Sequence, residues 1–309
     1  MNKILLKLIC IVLPVITLSL LIACTNKNNA GEAPDKSGRI FVYTTVYPMF
    51  DFTKKIGGDR INLHNLVPSG TEPHDWEPTP RDIARLEEAD VLIYNGAGME
   101  SWLNRILGSL TNKKLLLIET AKGLQLLENQ DKQENLAYDP HVWLNPMNAK
   151  KQMEAIKNAL VKADPANGSF YEANYKTYSQ KFDALDKEYR DTLAQFERKD
   201  IVVAHQAFGY LCDAYGLKQV AIEGLGAEAE PTPARMAEIT KFAKENNVKV
   251  IFFEELINPR VAQVIAEEVG AKTMVLNPVE GLKDEDIKAG KEYFSVMEIN
   301  LKALAEALK

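Results

Sequence analysis

The sequence predicts an α/β protein: two pseudo-symmetric parallel-sheet domains joined by one long rigid helix, with a cleft between the domains. Three observations predict it. Strand-like apolar runs alternate with helix-like segments, and alternation of that kind builds parallel sheets. The same order then occurs a second time, with Thr79-Pro80 and Thr232-Pro233 in matching positions. Between the two sets lies a long segment with an aromatic stripe at helical spacing.

The first set opens with the β-branched run Ile40–Val46, followed by helical spacing over Pro48–Ile56 that stops at Gly57-Gly58. Ile61–Val67 reads as a second strand leading into the Pro- and Gly-rich segment Pro68–Pro78. Thr79 is placed to cap a helix, with Pro80 at its first position and Asp82 three residues after the cap. A strand at Val91–Tyr94, a helix over Met99–Leu110 and a strand at Leu115–Glu119 complete this half. In the second half, strands are expected at Ile201–Ala204, Gln219–Glu223, Val248–Phe253 and Thr273–Leu276. Helices are expected over Phe208–Tyr215 and Pro259–Val269, stopping at Gly216 and Gly270. Between the halves, Asp164 is expected to cap a helix opened by Pro165. Its stripe runs Tyr171, Tyr175, Tyr178, Phe182, Leu185, Tyr189, Leu193 and Phe196. Roughly thirty residues at 1.5 Å each would reach about 45 Å, long enough to brace both domains.

The N-terminus does not fit this scheme. Lys3 and Lys7 flank and interrupt the apolar run from Ile4 to Ala23, the layout of a secretory signal. Its ending, Leu21-Ile22-Ala23-Cys24, resembles the lipobox of bacterial lipoproteins. That resemblance implies a signal peptide over 1–23 and lipidation of Cys24. Residues 24–39 carry few large apolar side chains and read as a flexible tether. The implied location is the outer face of the bacterial cytoplasmic membrane, held by the lipid on Cys24. The expected domains are therefore 40–164 and 198–309, with the connecting helix over 165–197. Cys10 leaves with the signal and Cys24 is acylated, so Cys212 stands alone as a buried helix cysteine and no internal disulfide can form.

Composition excludes several classes. The 309 residues are 46% hydrophobic and 26% charged with a net charge of −6, which argues against disorder and against a multi-span membrane protein. No basic block is present, so nucleic acid is not an expected partner. There is no Walker-type phosphate loop and no HExxH, the signature of many metallohydrolases.

Only four histidines occur: His64, His74, His141 and His205. His64 lies in a polar strand segment and reads as structural. The other three fall on loops at one edge of their sheets, the edge where open α/β sheets bind ligands. His74 and His141 share a local wording, Glu72-Pro73-His74-Asp75-Trp76 and Asp139-Pro140-His141-Val142-Trp143. Three imidazoles with one carboxylate make a closed tetrahedral zinc site. Glu280 is the favoured carboxylate and Glu254 the alternative, both at strand ends. No two of these residues are neighbours in sequence, so such a metal site would exist only in the interdomain cleft. Neutral imidazole ligands would make zinc affinity fall below about pH 6.5.

Together these segments resemble the zinc/manganese solute-binding lipoproteins of ABC transporters, the cluster 9 family. The resemblance rests on EPHDWEP (72–78), DPHVWLNP (139–146), VVAHQAFGYL (202–211), AEPTPARM (229–236) and LNPVEG (276–281). It implies two α/β lobes on a rigid helix with metal held between them, and no enzymatic activity. It also implies that His74, His141 and His205 occupy the family's three histidine positions, with Glu280 as the acidic fourth. His205 stands where manganese-type relatives tend to carry a carboxylate, which favours Zn2+ over Mn2+. The implied partners are an ABC permease and its ATPase subunit, for a monomeric protein. One departure is that 128–135 (ENQDKQEN) has no histidine, where many zinc members carry a histidine-rich loop. A manganese-binding protein of the same family and a surface adhesin are the alternatives.

Overall fold

The computed structural model describes residues 38–130, 136–226 and 231–309. The signal segment, Cys24 and nearly all of the tether lie outside the described residues. So do parts of the 128–135 loop and of the 229–236 motif. No helix among the described residues is long and apolar enough to cross a membrane.

In the first half, β1 (Ile40–Thr44), α1 (Tyr47–Gly57), β2 (Ile61–Asn65) and α2 (Pro80–Leu86) are followed by β3 (Val91–Tyr94), α3 (Leu103–Ser109) and β4 (Leu116–Glu119). Then come α4 (Pro146–Ala163) and the long α5 (Gly168–Leu193). The second half runs β5 (Asp200–Val203), α6 (Gly209–Tyr215), β6 (Lys218–Ala221), α7 (Pro233–Glu245), β7 (Val250–Phe253), α8 (Arg260–Val269) and β8 (Lys272–Val275). Two C-terminal helices follow, α9 (Asp284–Lys288) and α10 (Tyr293–Ala307).

The two sheets repeat one another. Their orders are β2-β1-β3-β4 and β6-β5-β7-β8, and every pairing is parallel. In each, the chain reverses its direction of travel across the sheet between the first and third strands. Loops leaving the strand ends there define a crevice.

Local chemistry explains the element ends. Thr79 and Asp82 form a reciprocal capping box at α2, Asn145 accepts from Met147 N–H at α4, and Thr232 accepts from Arg235 N–H at α7. Left-handed Gly216 and Gly270 end α6 and α8.

Two expected helices differ. The segment predicted to be helical from Met99 begins only at Leu103. The cause is Glu100, whose buried carboxylate accepts the Asn95 and Gly96 N–H groups and the Thr45 hydroxyl, closing a turn instead. Asp164 does not cap the long helix, because a 3-10 turn over Pro165–Asn167 intervenes. Its carboxylate accepts from Tyr171 Oη at 2.6 Å and from Asn167 Nδ2 at 2.7 Å. The helix therefore has 26 residues and spans about 39 Å.

Seven of the eight stripe residues lie in α5 and face inward, while the helix ends at Leu193, short of the expected 197, and Phe196 falls three residues beyond it. All eight are buried in, or packed against, one apolar cluster that runs through both halves. At its centre Phe182 meets Phe52, Tyr293 and Phe294, with ring centroids 5.7, 5.6 and 4.7 Å away. Smaller clusters under α2 and α3, and under α7 and α8, cover the other sheet faces. His64 stacks on Tyr43 within β2, and Cys212 is a buried free thiol in α6. Replacing Phe182 by Ala should cost about 3–5 kcal/mol of stability. Denaturant unfolding measures this, and a loss below about 1 kcal/mol would contradict the shared core.

Candidate metal centre

The sheet edges bring four of the sequence-selected residues together. His74 lies on the loop between β2 and α2, His141 at the end of the segment after β4, His205 just beyond β5 and Glu280 beyond β8. One donor atom from each falls within 4.8 Å of all the others. His74 Nε2 is 3.2 Å from His141 Nε2 and 3.7 Å from Glu280 Oε1. His141 Nε2 is 2.7 Å, and His205 Nδ1 3.9 Å, from the same carboxylate oxygen. A tetrahedral zinc with ~2.0–2.1 Å bonds holds its donors roughly 3.3 Å apart. The observed spacings bracket that value.

Each histidine is held by a neighbour. Asp139 Oδ1 accepts the His141 backbone N–H at 2.9 Å and faces its Nδ1 at 2.7 Å. Glu72 Oε1 accepts the His74 backbone N–H at 3.3 Å. The repeated acid-Pro-His wording thus has a mechanical meaning: in both places the acid two residues earlier ties down the turn carrying the imidazole. Trp143 packs edge-on to the His141 ring. Trp76 packs instead against Trp102, anchoring the His74 loop. His205 Nε2 lies 2.8 Å from the Leu225 carbonyl. A carbonyl only accepts, so Nε2 carries a hydrogen, and Nδ1 is the nitrogen that faces the cluster.

Glu254, the alternative fourth donor, is elsewhere engaged. Its Oε1 lies 3.1 Å from His205 Nδ1, beside the cluster but not one of the four converging donors. Sequence reasoning missed Asp139 and Glu72 as supporting groups, although the acid-Pro-His repeat was their signal. Nothing local in the sequence announces the Leu225 carbonyl.

Glu280 decides what the site can do. Its side chain is 1% exposed, and neither carboxylate oxygen has a hydrogen bond of normal geometry. A buried carboxylate without such partners requires cationic charge. Burial pushes Glu280 up, but His141 and His74 outweigh it and hold the group well below the usual carboxylate range. Burial pushes His141 down, yet Glu280 and Asp139 raise it to about 9. His205 is likewise lowered by burial but carried to about 10 by Glu254, Glu280 and the Leu225 carbonyl. Burial, then Glu280 and Glu254, raise Glu72 to about 9. Without metal, protons on imidazole supply the charge that Glu280 needs.

The profile of the family described as zinc-uptake complex component A, periplasmic (ZnuA), matches residues 42–307. The chain belongs to this family. It is 43% identical over 299 residues to the high-affinity zinc uptake system protein ZnuA of Bacillus subtilis (strain 168), covering 94% of each chain. It is 40% identical to the zinc-binding lipoprotein AdcA of Streptococcus pneumoniae serotype 4, covering 93% of this chain but 58% of that protein. The crystal structure of the Zn(II)-bound ZnuA-like domain of that species' AdcA superposes with a TM-score of 0.78 at 42% identity, covering 88% of this chain and 99% of that one.

The raised histidines move the expected pH dependence. Zinc bound through His141 and His205 would displace their protons at neutral pH, and its affinity should then rise with pH up to about 9–10. The fall expected only below about pH 6.5 is thus extended upward, because Glu280, Asp139 and Glu254 meet the imidazoles only in the folded chain. Calorimetry in buffers of different ionisation enthalpy counts the released protons. No proton release at pH 7 would contradict this reading.

Proposed function

We propose that His74, His141, His205 and Glu280 are the ligands with which this chain captures Zn2+ for uptake. The chain is an extracytoplasmic zinc-binding component of a zinc-uptake system. The observation that carries the ligand assignment is the buried Glu280 carboxylate, lacking ordinary hydrogen bonds and facing three imidazoles. Zinc is cargo in this reading, and the four protein donors fill its tetrahedral shell. That leaves no open position for an activated water, which favours a binding protein over a hydrolase.

The finer assignments belong to the same proposal. Residues 40–164 and 198–309 form the two metal-binding lobes, with 165–197 as the strut between them. Cys24 carries the lipid that keeps the monomeric protein at the membrane, where it hands zinc to an ABC permease driven by a separate ATPase subunit. The 128–135 loop has no histidine, so capture falls to the central cluster.

Three nitrogen donors favour zinc over manganese, which lies low in the Irving–Williams order. Competition titration of metal-stripped residues 25–309 against a chelator should give one tight Zn2+ per chain, with Mn2+ far weaker. His205→Ala should weaken zinc by about 100-fold or more while the metal-free fold survives. Zinc affinity retained in His205→Ala would remove that residue from the ligand set.

A further inference from the structure

A hydroxyl from the second half closes onto the segment that carries His141. Tyr210, 3% exposed, donates from Oη to the Asp139 carbonyl at 2.9 Å. The same oxygen accepts the Leu127 backbone N–H at 3.0 Å. Tyr210 follows His205 by one short turn of chain and lies in α6 of the second half, whereas Asp139 belongs to the first. The residue before it, Gly209, has no side chain, and a Cβ there would lie 2.5 Å from Asp139 Oδ2. That carboxylate is the one whose other oxygen fixes the His141 ring and its backbone N–H.

We infer that Gly209 and Tyr210 are positioning residues for zinc capture. They seat the Asp139 carboxylate against His141 and thereby couple the His141 and His205 donors across the cleft. The inference rests on the proposed ligand set. Gly209 acts by leaving room: any larger residue must push Asp139 Oδ2 away, and the His141 ring loses its orientation. Tyr210 acts by holding the backbone of the same residue, using both the donor and the acceptor capacity of one hydroxyl. Neither residue offers an atom to the metal. Groups that orient a metal-binding imidazole commonly contribute 10–100-fold in affinity.

The test compares Gly209→Ala, Tyr210→Phe and His141→Ala with the parent protein. Three readouts are taken: zinc competition titration, the visible absorption of bound Co2+ as a probe of tetrahedral geometry, and thermal unfolding of the metal-free form. Gly209→Ala and Tyr210→Phe should each weaken zinc by about tenfold or more and change the Co2+ spectrum, while the metal-free form still unfolds cooperatively. Zinc affinity within about twofold of the parent in both variants, with an unchanged Co2+ spectrum, overturns the coupling. Loss of affinity confined to variants whose metal-free form is itself unfolded also overturns it, since the residues then only maintain the fold. His141→Ala separates the two levels. If zinc binding survives that change, the ligand assignment fails. If His141→Ala abolishes binding while the other two variants bind normally, only the coupling fails.

Discussion

A buried carboxylate demands compensating charge, and the placement of Glu280 organises much of this molecule around that demand. Its loop follows β8 and so belongs to the second half by sequence. Its hydrogen bonds nevertheless reach into the first half. The Tyr47 N–H donates to the Glu280 carbonyl, the Gly70 N–H to that of Leu282, and Trp143 Nε1 to that of Pro278. Tyr293 Oη in turn donates to the Trp143 carbonyl. Val279, immediately before the carboxylate, has φ at +61°, a strained conformation for a β-branched residue. Full burial and an N–H bond to Asn277 Oδ1 hold it there. Strain of this kind persists only where the surroundings over-determine it, and here it aims the one acidic donor at the imidazoles.

The same tie has a consequence for motion. Each sheet has its own outer core, yet the inner faces share one apolar cluster with α1, α4, α5 and α10. A wide hinge movement would have to split that cluster and return its aromatic surface to water, at about 25 cal/mol for each Å2 exposed. The site therefore combines donors on loops with a frame that resists opening.

Much of this was legible in the sequence because the relevant signals are local. Apolar runs, the Thr-Pro caps and the spacing from Tyr171 to Leu193 depend on nearest neighbours along the chain, and these became the expected elements. The misplaced helix start at Met99 had a non-local cause, a Glu100 carboxylate folded back to reach Thr45. Asp164 failed as a cap of the long helix because a 3-10 turn intervenes, and its Oδ2 accepts from the Tyr171 hydroxyl and the Asn167 amide instead. The site divides in the same way. Acid-Pro-His wording and strand-end position marked the histidines, whereas the anchoring of Glu280 by Tyr47 and Trp143 joins residues far apart in the chain. The raised histidines are only partly legible locally: Asp139 stands two residues before His141, but Glu280 and Glu254 come from other loops.

Acidic groups crowd this end of the molecule beyond the four donors. Glu72, Glu254 and Glu255 line a narrow crevice that also reaches Glu280. Carboxylate charge there attracts any divalent cation, because Coulomb attraction does not distinguish zinc from manganese or calcium, while Glu72, raised to about 9, adds none at neutral pH. Discrimination must arise at the next step, where the ion exchanges water for fixed donors. There the proposed ligand set has the His205 imidazole at its third position, with the Glu254 carboxylate held against that ring. A harder ion drawn in by the crevice gains little from nitrogen, whereas zinc gains from all three rings. On the proposed ligand set, attraction and selection are thus divided between neighbouring groups, the crevice carboxylates drawing the ion in and the three imidazoles choosing it.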